Sequence, residues 1–518
     1  MAVKKLRLVL RWAGRMLLVL LAILALFILE ENIRGHILLA RYKAELRAKG
    51  EKLTVAELNL PKPAKPSDAA VDLLRAGAEL EELGKQSPLL FNWEFNVCSL
   101  HFTGPGCCTV RQVQADTGLT LRNMDVAAAP RGARRYQPVT QEMCSWEQLA
   151  DQVGLAREPF HRARAALQQP VIAVPTDYGQ GFDAGIPQER AAASISAWLS
   201  TTALYDLYRK DPDAALGSIL AIADLMRLLQ DDHLIRSQSD RSWIGKRGLD
   251  ISWEALQAPG WTDEQLAKLQ MTWEKASTIN EFAAGAEGER AIALDEWEQE
   301  VRKPISQLLN WSDFSLSSWE DVCGWAQAIT WFMAWKQQDQ ARGVWVWQNT
   351  MEDVRSAVRT SAWTVAHKQF EETEHEEWDH WSFYDHWRYL MSKPGFPMTS
   401  RLLPINVHYY VQKLLENETQ REMTVAAIAL TRYQLRHGSM PPNLAALVPE
   451  FCARIPHDYM DGVDLRYRLN ADGTWILYSV GDDGVDNGGD PRPLKPRRLL
   501  FSIWDGRDAV WPQPALER

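Results

Sequence analysis

The 518-residue chain lacks the short motifs that announce a reaction. It has no G-x-S-x-G nucleophile elbow, no G-x-x-x-x-G-K-[ST] phosphate loop and no G-x-G-x-x-G dinucleotide fingerprint. Its six cysteines include no C-x-x-C, which leaves a zinc ribbon or a thioredoxin-type centre without support. It also lacks a basic excess: the net charge is −10, and Lys4, Lys5, Arg7, Arg11 and Arg15 are unopposed within the first fifteen positions, so the remainder carries −15. An acidic body argues against nucleic acid as a partner, because phosphates require a basic face.

Tryptophan is abundant: 23 in all, twelve of them between Trp297 and Trp387. Large rings at helical spacing, as at 319, 325, 331 and 335, most often fill a helix–helix seam; a glycan-stacking face or a membrane-resting face is the sharper alternative.

Met16 to Leu29, "MLLVLLAILALFIL", has no polar side chain over fourteen residues. Extended back through Val9, Leu10, Trp12 and Ala13, it reaches the roughly 20 residues that a membrane span needs, with Arg11 and Arg15 snorkelling to the headgroups. Basic residues precede the run and Glu30 and Glu31 follow it. The positive-inside rule therefore predicts a cytoplasmic N-terminus and a body outside. A cleaved signal peptide would need a small-x-small site before Glu30, and none is evident. The expected address is the inner membrane, single-pass, with a periplasmic body. An oxidising compartment would suit two bridges among Cys98, Cys107, Cys108 and Cys144, in any of three pairings. Cys323 and Cys452 read as core residues.

The chain divides into four regions. Residues 1–30 are the basic flank and anchor. Residues 31–144 hold a juxtamembrane helix over Ile33–Lys49, a proline-rich spacer "LNLPKPAKPSD" whose Ser67 or Asp68 caps an amphipathic helix to Lys85, and a mixed cysteine-containing stretch. Residues 145–404 form a helical body with the Trp-rich segment. Here Glu189–Lys210 and Asp211–Asp232 predict an αα-hairpin, with Asp211 as cap and Pro212 in the first turn, and Thr262 caps a further helix. Residues 405–518 hold a helix over Val411–His437, ended by Gly438 and the Pro441–Pro442 pair, then a short "NLAALVP" helix and a hairpin of "DLRYRL" and "TWILYSV" about "NADG". The fold class expected is mainly α, with a small C-terminal α+β module.

Chemistry concentrates in "LYSVGDDGVDNGGD", Leu477 to Asp490. Asp482, Asp483, Asp486 and Asp490 could converge on calcium, which takes six to eight oxygens, while Gly481, Gly484, Gly488 and Gly489 supply positive-φ freedom. The spacing is not that of an EF-hand, and a plain turn uses the same residue types. "HEEWDH" falls short of a zincin motif, since His375 and His380 are five apart and diverge by about 140° on a helix. Glu376 and His380 share a face and form a second candidate metal pair. In "GERA", Glu289 and Arg290 suggest a buried ion pair that fixes packing.

Residues 429–490, with "RYQLRHGSMPP", "NLAAL", "IPHD" and "LYSVGDDG", resemble the C-terminal part of the major pseudopilin of type II secretion. That resemblance implies a small sheet packed on a helix and calcium held in the loop by aspartates such as Asp483 and Asp490. Pro491 stands where that family carries paired acidic residues, and the prepilin processing signal is absent. "ENIRGHILLARYKAELRAKGEKL", "EGERA" and "VWP" resemble a family of uncharacterised membrane-anchored proteins of the Verrucomicrobia and Planctomycetes group, which implies a cell-envelope address and no catalytic activity. The expectation is a structural or interaction protein, secretion- or pilin-related, that assembles with itself or with envelope proteins. The alternative is an envelope hydrolase or glycan-binding protein using the acidic Trp/His-rich region.

Overall fold

The computed structural model describes residues 2–60, 65–86, 146–303, 329, 331–379, 407–471, 473–492 and 503–511. Thirteen α-helices and five short strands lie among the described residues. Cys98, Cys107, Cys108, Cys144 and Cys323, and with them the bridges expected in that compartment, fall outside these residues.

The first helix, α1 (Ala2–Ala48), is 47 residues long, about 70 Å at 1.5 Å per residue. The anchor and the juxtamembrane helix are thus one rod, and the rod is long and apolar enough to cross a membrane. Its two halves have opposite surroundings. Met16, Leu18, Leu20, Leu24 and Leu26 are 50–68% exposed, whereas Leu39 and Leu46 are buried. The buried half packs on α10 (Ile279–Arg302) and α11 (Lys336–Thr360) through Ala293, Leu294, Ala341, Val344 and Trp347. Gly35 allows the close approach, because a Cβ there would run into Gln338.

A charged knot fastens the end of this rod. Glu51 accepts from Arg355 Nη1 at 2.5 Å and Nη2 at 3.0 Å, from Arg290 Nη2 at 2.9 Å and from Gln348 Nε2 at 3.1 Å. Arg290 also donates to Gln348 Oε1 and to the Lys52 carbonyl. Just beyond, Thr54 caps the short α2 (Val55–Leu58), and Val55 N–H donates to Asp295 of α10. Arg290 is therefore paired, but not with Glu289, whose carboxylate instead accepts from Ile235 N–H at 2.9 Å. Adjacent helix residues lie about 100° apart around the axis, and here Glu289 and Arg290 reach different neighbours.

The body follows its local signals closely. Ser67 accepts from Ala70 N–H at the start of α3 (Asp68–Gln86). Helices α4 (Trp146–Leu155) and α5 (Arg157–Leu167) follow. The expected hairpin is α6 (Pro187–Tyr208) and α7 (Pro212–Leu225), joined by Asp211, which accepts from Ala214 N–H at 3.0 Å. Helices α8 (Ile235–Gln257) and α9 (Asp263–Glu274) come next, the latter opened by a Thr262–Gln265 capping box. Then α12 (Trp363–Asp379) leads towards α13 (Val407–His437). One large apolar cluster joins α3 and α5–α9 to the C-terminal half of α13. A second joins α10, α11 and α12 to its N-terminal half. Trp198, Trp273, Trp297 and Trp347 are fully buried and belong to the core.

The C-terminal module carries β1 (His457–Asp458) paired with β2 (Val463–Asp464), and β3 (Arg466–Leu469) paired antiparallel with β4 (Trp475–Ser479) from Arg466–Tyr478 to Leu469–Trp475. The hairpin is where its alternation and "NADG" turn place it. A third strand, β5 (Ala509–Trp511), adds to β4, with Leu477 opposite Trp511. The tail therefore closes the sheet, a pairing that has no short-range signal.

The knot at Glu51 makes stability acid-sensitive. Burial works against the charge, but the Arg355, Gln348 and Arg290 contacts prevail and hold the carboxyl down at about 2, below the ordinary 4.5. A depressed carboxyl contributes stability that is complete above pH 4.5 and is lost as the pH falls towards 2, on the order of 2–3 kcal/mol. Urea unfolding in mild detergent at pH 5 and pH 2.5 should show this loss in the wild type. In Glu51→Gln the chain should start less stable and lose correspondingly less over the same interval.

Candidate functional site

The middle of α13 reads "ENETQRE", Glu416 to Glu422, a run of helix formers with every side chain polar. Hydropathy alone assigns such a run to a solvated face. The structure buries all seven residues, none more than 6% exposed. They lie where the two apolar clusters meet: Val411, Leu414 and Leu415 belong to one, and Met423, Val425 and Ala426 to the other.

Burial of this kind is tolerable only where each group is bonded. Glu418 accepts from Thr278 N–H at 2.7 Å, Thr278 Oγ1 at 3.0 Å and Arg421 Nε at 2.9 Å. Arg421 donates onward to the Trp273 carbonyl and to Glu422, which also accepts from Arg454 Nη2 at 2.9 Å and His457 N–H at 3.0 Å. Thr419 accepts from Tyr459 N–H, Asn417 donates to Ser242, and Gln420 donates to Asp250 at 2.6 Å. Burial disfavours the Arg421 cation, but Glu418 and Glu422 hold its pKa above the ordinary value. Glu416 is different: burial, and then the Asp482 carboxylate, push it up to about 8 despite its 2.5 Å contact with Lys413 Nζ.

Through Glu416 and Gln412 the belt reaches the aspartate loop, where Gln412 Nε2 donates to Asp482 at 3.0 Å. The four glycines all take positive φ, between 66° and 80°. At Gly481 space forbids a side chain as well, since a Cβ would meet the Arg507 carbonyl at 2.9 Å, while at Gly489 it would displace the end of the Ile476 side chain. The four aspartates face separate partners. Asp483 accepts from Val485 N–H in its own turn. Asp486 accepts from Tyr478 Oη at 3.2 Å and Gly488 N–H at 2.9 Å. Asp490 takes the Arg492 guanidinium at 2.6 Å, with Arg507 at 3.6 Å, and Arg492 holds its carboxyl below the usual range.

A carboxylate from the tail pins the loop. Asp508, fully buried, accepts from Asn487 N–H at 3.2 Å, Gly489 N–H at 2.6 Å and Asp490 N–H at 3.0 Å. Three converging amides make a nest for an anion, the opposite of the oxygen cage a cation needs. Among the described residues, no three His, Cys, Asp or Glu side chains converge as a metal would require. Asp482, Asp483, Asp486 and Asp490 each bond a different group, Gln412, Val485 N–H, Tyr478 and Arg492 respectively. Asp458 is the second anchor: buried in β1, it accepts from Ser479 Oγ, Val480 N–H, Met460 N–H and Arg466 Nη1, tying the "IPHD" turn to the end of β4. Neither Asp508 nor Asp458 stands out from other aspartates in sequence, although the "IPHD" motif contains the latter.

The other candidate metal pair is not brought into view. Glu376 lies on α12, its side chain and His380 both outside the described residues. Cys452 is a free, buried thiol as expected, and burial pushes its pKa up to about 12, well away from nucleophilic use.

The belt and loop together are a set of cross-braces, and two measurements test them. A carboxyl whose pKa is raised from 4.5 to about 8 favours the fold most at low pH, and that advantage declines as pH rises through 8. Measured by unfolding at pH 5 and pH 9, the wild type should lose on the order of 4 kcal/mol more than Glu416→Gln does. Calcium followed by a chelator should leave the thermal transition in place; a rise and a matching fall would mean the four aspartates regroup around the ion.

Compared with known proteins, the chain matches no family model, no curated protein and no solved structure.

Proposed function

We propose that this chain is a single-pass, membrane-anchored structural or interaction protein of the cell envelope. Its N-terminus is cytoplasmic, and its helical body stands on the periplasmic side of the inner membrane, where it assembles with itself or with envelope proteins. The observation that carries this reading is the continuity of α1. Its exposed apolar half needs a lipid environment, because leaving ten or so large aliphatic side chains in water forfeits roughly 1.5–3 kcal/mol each. The buried half is part of the body's core and ends in the Glu51 knot. The anchor is therefore a rigid mast rather than a leash. Basic residues ahead of the apolar run and acids after it support the orientation. The polar belt supports a scaffold rather than a reaction centre, since its ionised groups are engaged in holding neighbouring elements together.

In membranes from cells expressing the full chain, carbonate washing should leave the protein in the pellet. Protease added to spheroplasts should digest the body, whereas added to intact cells it should not. Release into the carbonate supernatant would remove the anchor, and protection in spheroplasts would reverse the orientation.

A further inference from the structure

A π-helical turn, Trp331–Trp335, precedes α11 and lies against α1 some 300 positions away in sequence. Its height along the rod is well defined. The Phe27 and Trp335 rings meet edge to face at 6.4 Å. Trp335 Nε1 donates to Glu31 Oε2 at 3.1 Å, and Asn32 Nδ2 donates to the Met333 carbonyl at 3.1 Å. Gln338 Nε2 adds a 2.6 Å bond to the Glu31 carbonyl. The turn therefore sits level with the last turn of the apolar run, where the first acids of α1 appear.

At that level the protein exposes more apolar surface than α1 alone supplies. Met333 is 45% exposed and Ile329 41%. Between the turn and the rod runs an open groove of about 340 Å³, lined by Leu21, Leu24, Ile28, Leu29 and Met333. The polar tips of the two indoles are already satisfied, Trp335 by Glu31 and Trp331 by Asp339 at 3.1 Å. Lys336, just after the turn, lies over the Phe332 ring at 4.3 Å and donates to the Val301 carbonyl. Rings with an apolar body and a bonded polar tip are the residue type that settles at the headgroup level of a bilayer.

We infer that Trp331–Trp335 is a second membrane contact. It seats at the headgroup–acyl boundary of the leaflet nearest the body, with Met333 and Ile329 against acyl chains and a phospholipid tail in the groove beside α1. This rests on α1 spanning the bilayer and adds to it that the body is held down at a second point. A protein seated this way keeps a fixed tilt, because α1 alone would let it rotate about the rod.

The test uses the full chain in liposomes of phosphatidylcholine and phosphatidylglycerol. A benzophenone amino acid replaces Met333, or Leu24 as a control within the span, or Leu155, which is 63% exposed on α4, as a control on the body. Illumination should add the mass of one phospholipid at positions 333 and 24, several-fold above position 155. An adduct at 24 without one at 333 overturns the second contact and leaves the anchor standing. No adduct at either, with release by carbonate, overturns both. A chain-to-chain adduct at 333 in place of the lipid adduct overturns the lipid contact and makes this face an interface between copies.

Discussion

Seven consecutive polar side chains in the interior of α13 are the constraint around which the rest is arranged. A helix enclosed on all sides has no solvated face on which to place Glu416–Glu422, so every neighbour must bring a complementary group. Thr278 ahead of α10, Ser242 and Asp250 on α8, the Trp273 carbonyl of α9, and Arg454, His457 and Tyr459 of the C-terminal module do this. Apolar contacts above and below the belt supply the bulk of the burial energy, but they are not directional. The belt adds direction to the packing, since its bonds require particular groups opposite particular positions. Removal of one partner from such a network leaves a buried charge uncompensated, which costs about 3–5 kcal/mol.

The same logic recurs at the N-terminal end. Glu51, Arg290, Arg355 and Gln348 join the end of α1 to α10 and α11 where Leu39, Leu46 and Trp347 have already brought the helices together. Hydrophobic packing decides that the rod lies along the body; the ion pairs decide where along its length it stops. Because α1 is an unbroken helix, this register passes directly into the depth of the apolar half. The Trp331–Trp335 turn lies beside Phe27 and Glu31 for that reason.

In the C-terminal module, a carboxylate does what a cation would do in other acidic loops. Asp508 collects three amides of the loop and thereby ties β5 to the turn after β4, so the third strand and the loop form or fail together. Of the loop's own acids, Asp482 faces Gln412 of α13, Asp483 its own turn, and Asp486 and Asp490 face Tyr478, Arg466 and Arg492. Arginines offset two of these charges, Arg466 that of Asp486 and Arg492 that of Asp490.

Much of the architecture was legible in the residues. The caps at Ser67, Asp211 and Thr262, the stop at Gly438 and the "NADG" hairpin act within a few residues of themselves, so their geometry is a local property of the chain. The apolar length of α1 is local in the same sense. Three things were decided only on folding: that "ENETQRE" is interior, that Asp508 of the tail collects three amides of the loop, and that a Trp-rich turn meets α1. Each depends on groups brought from 18 to more than 300 positions away, and no window of sequence distinguishes a charged residue that will find a partner from one that will find water. Helix formation and capping are settled by neighbours along the chain, whereas the burial of a polar group is settled by whichever element arrives opposite it.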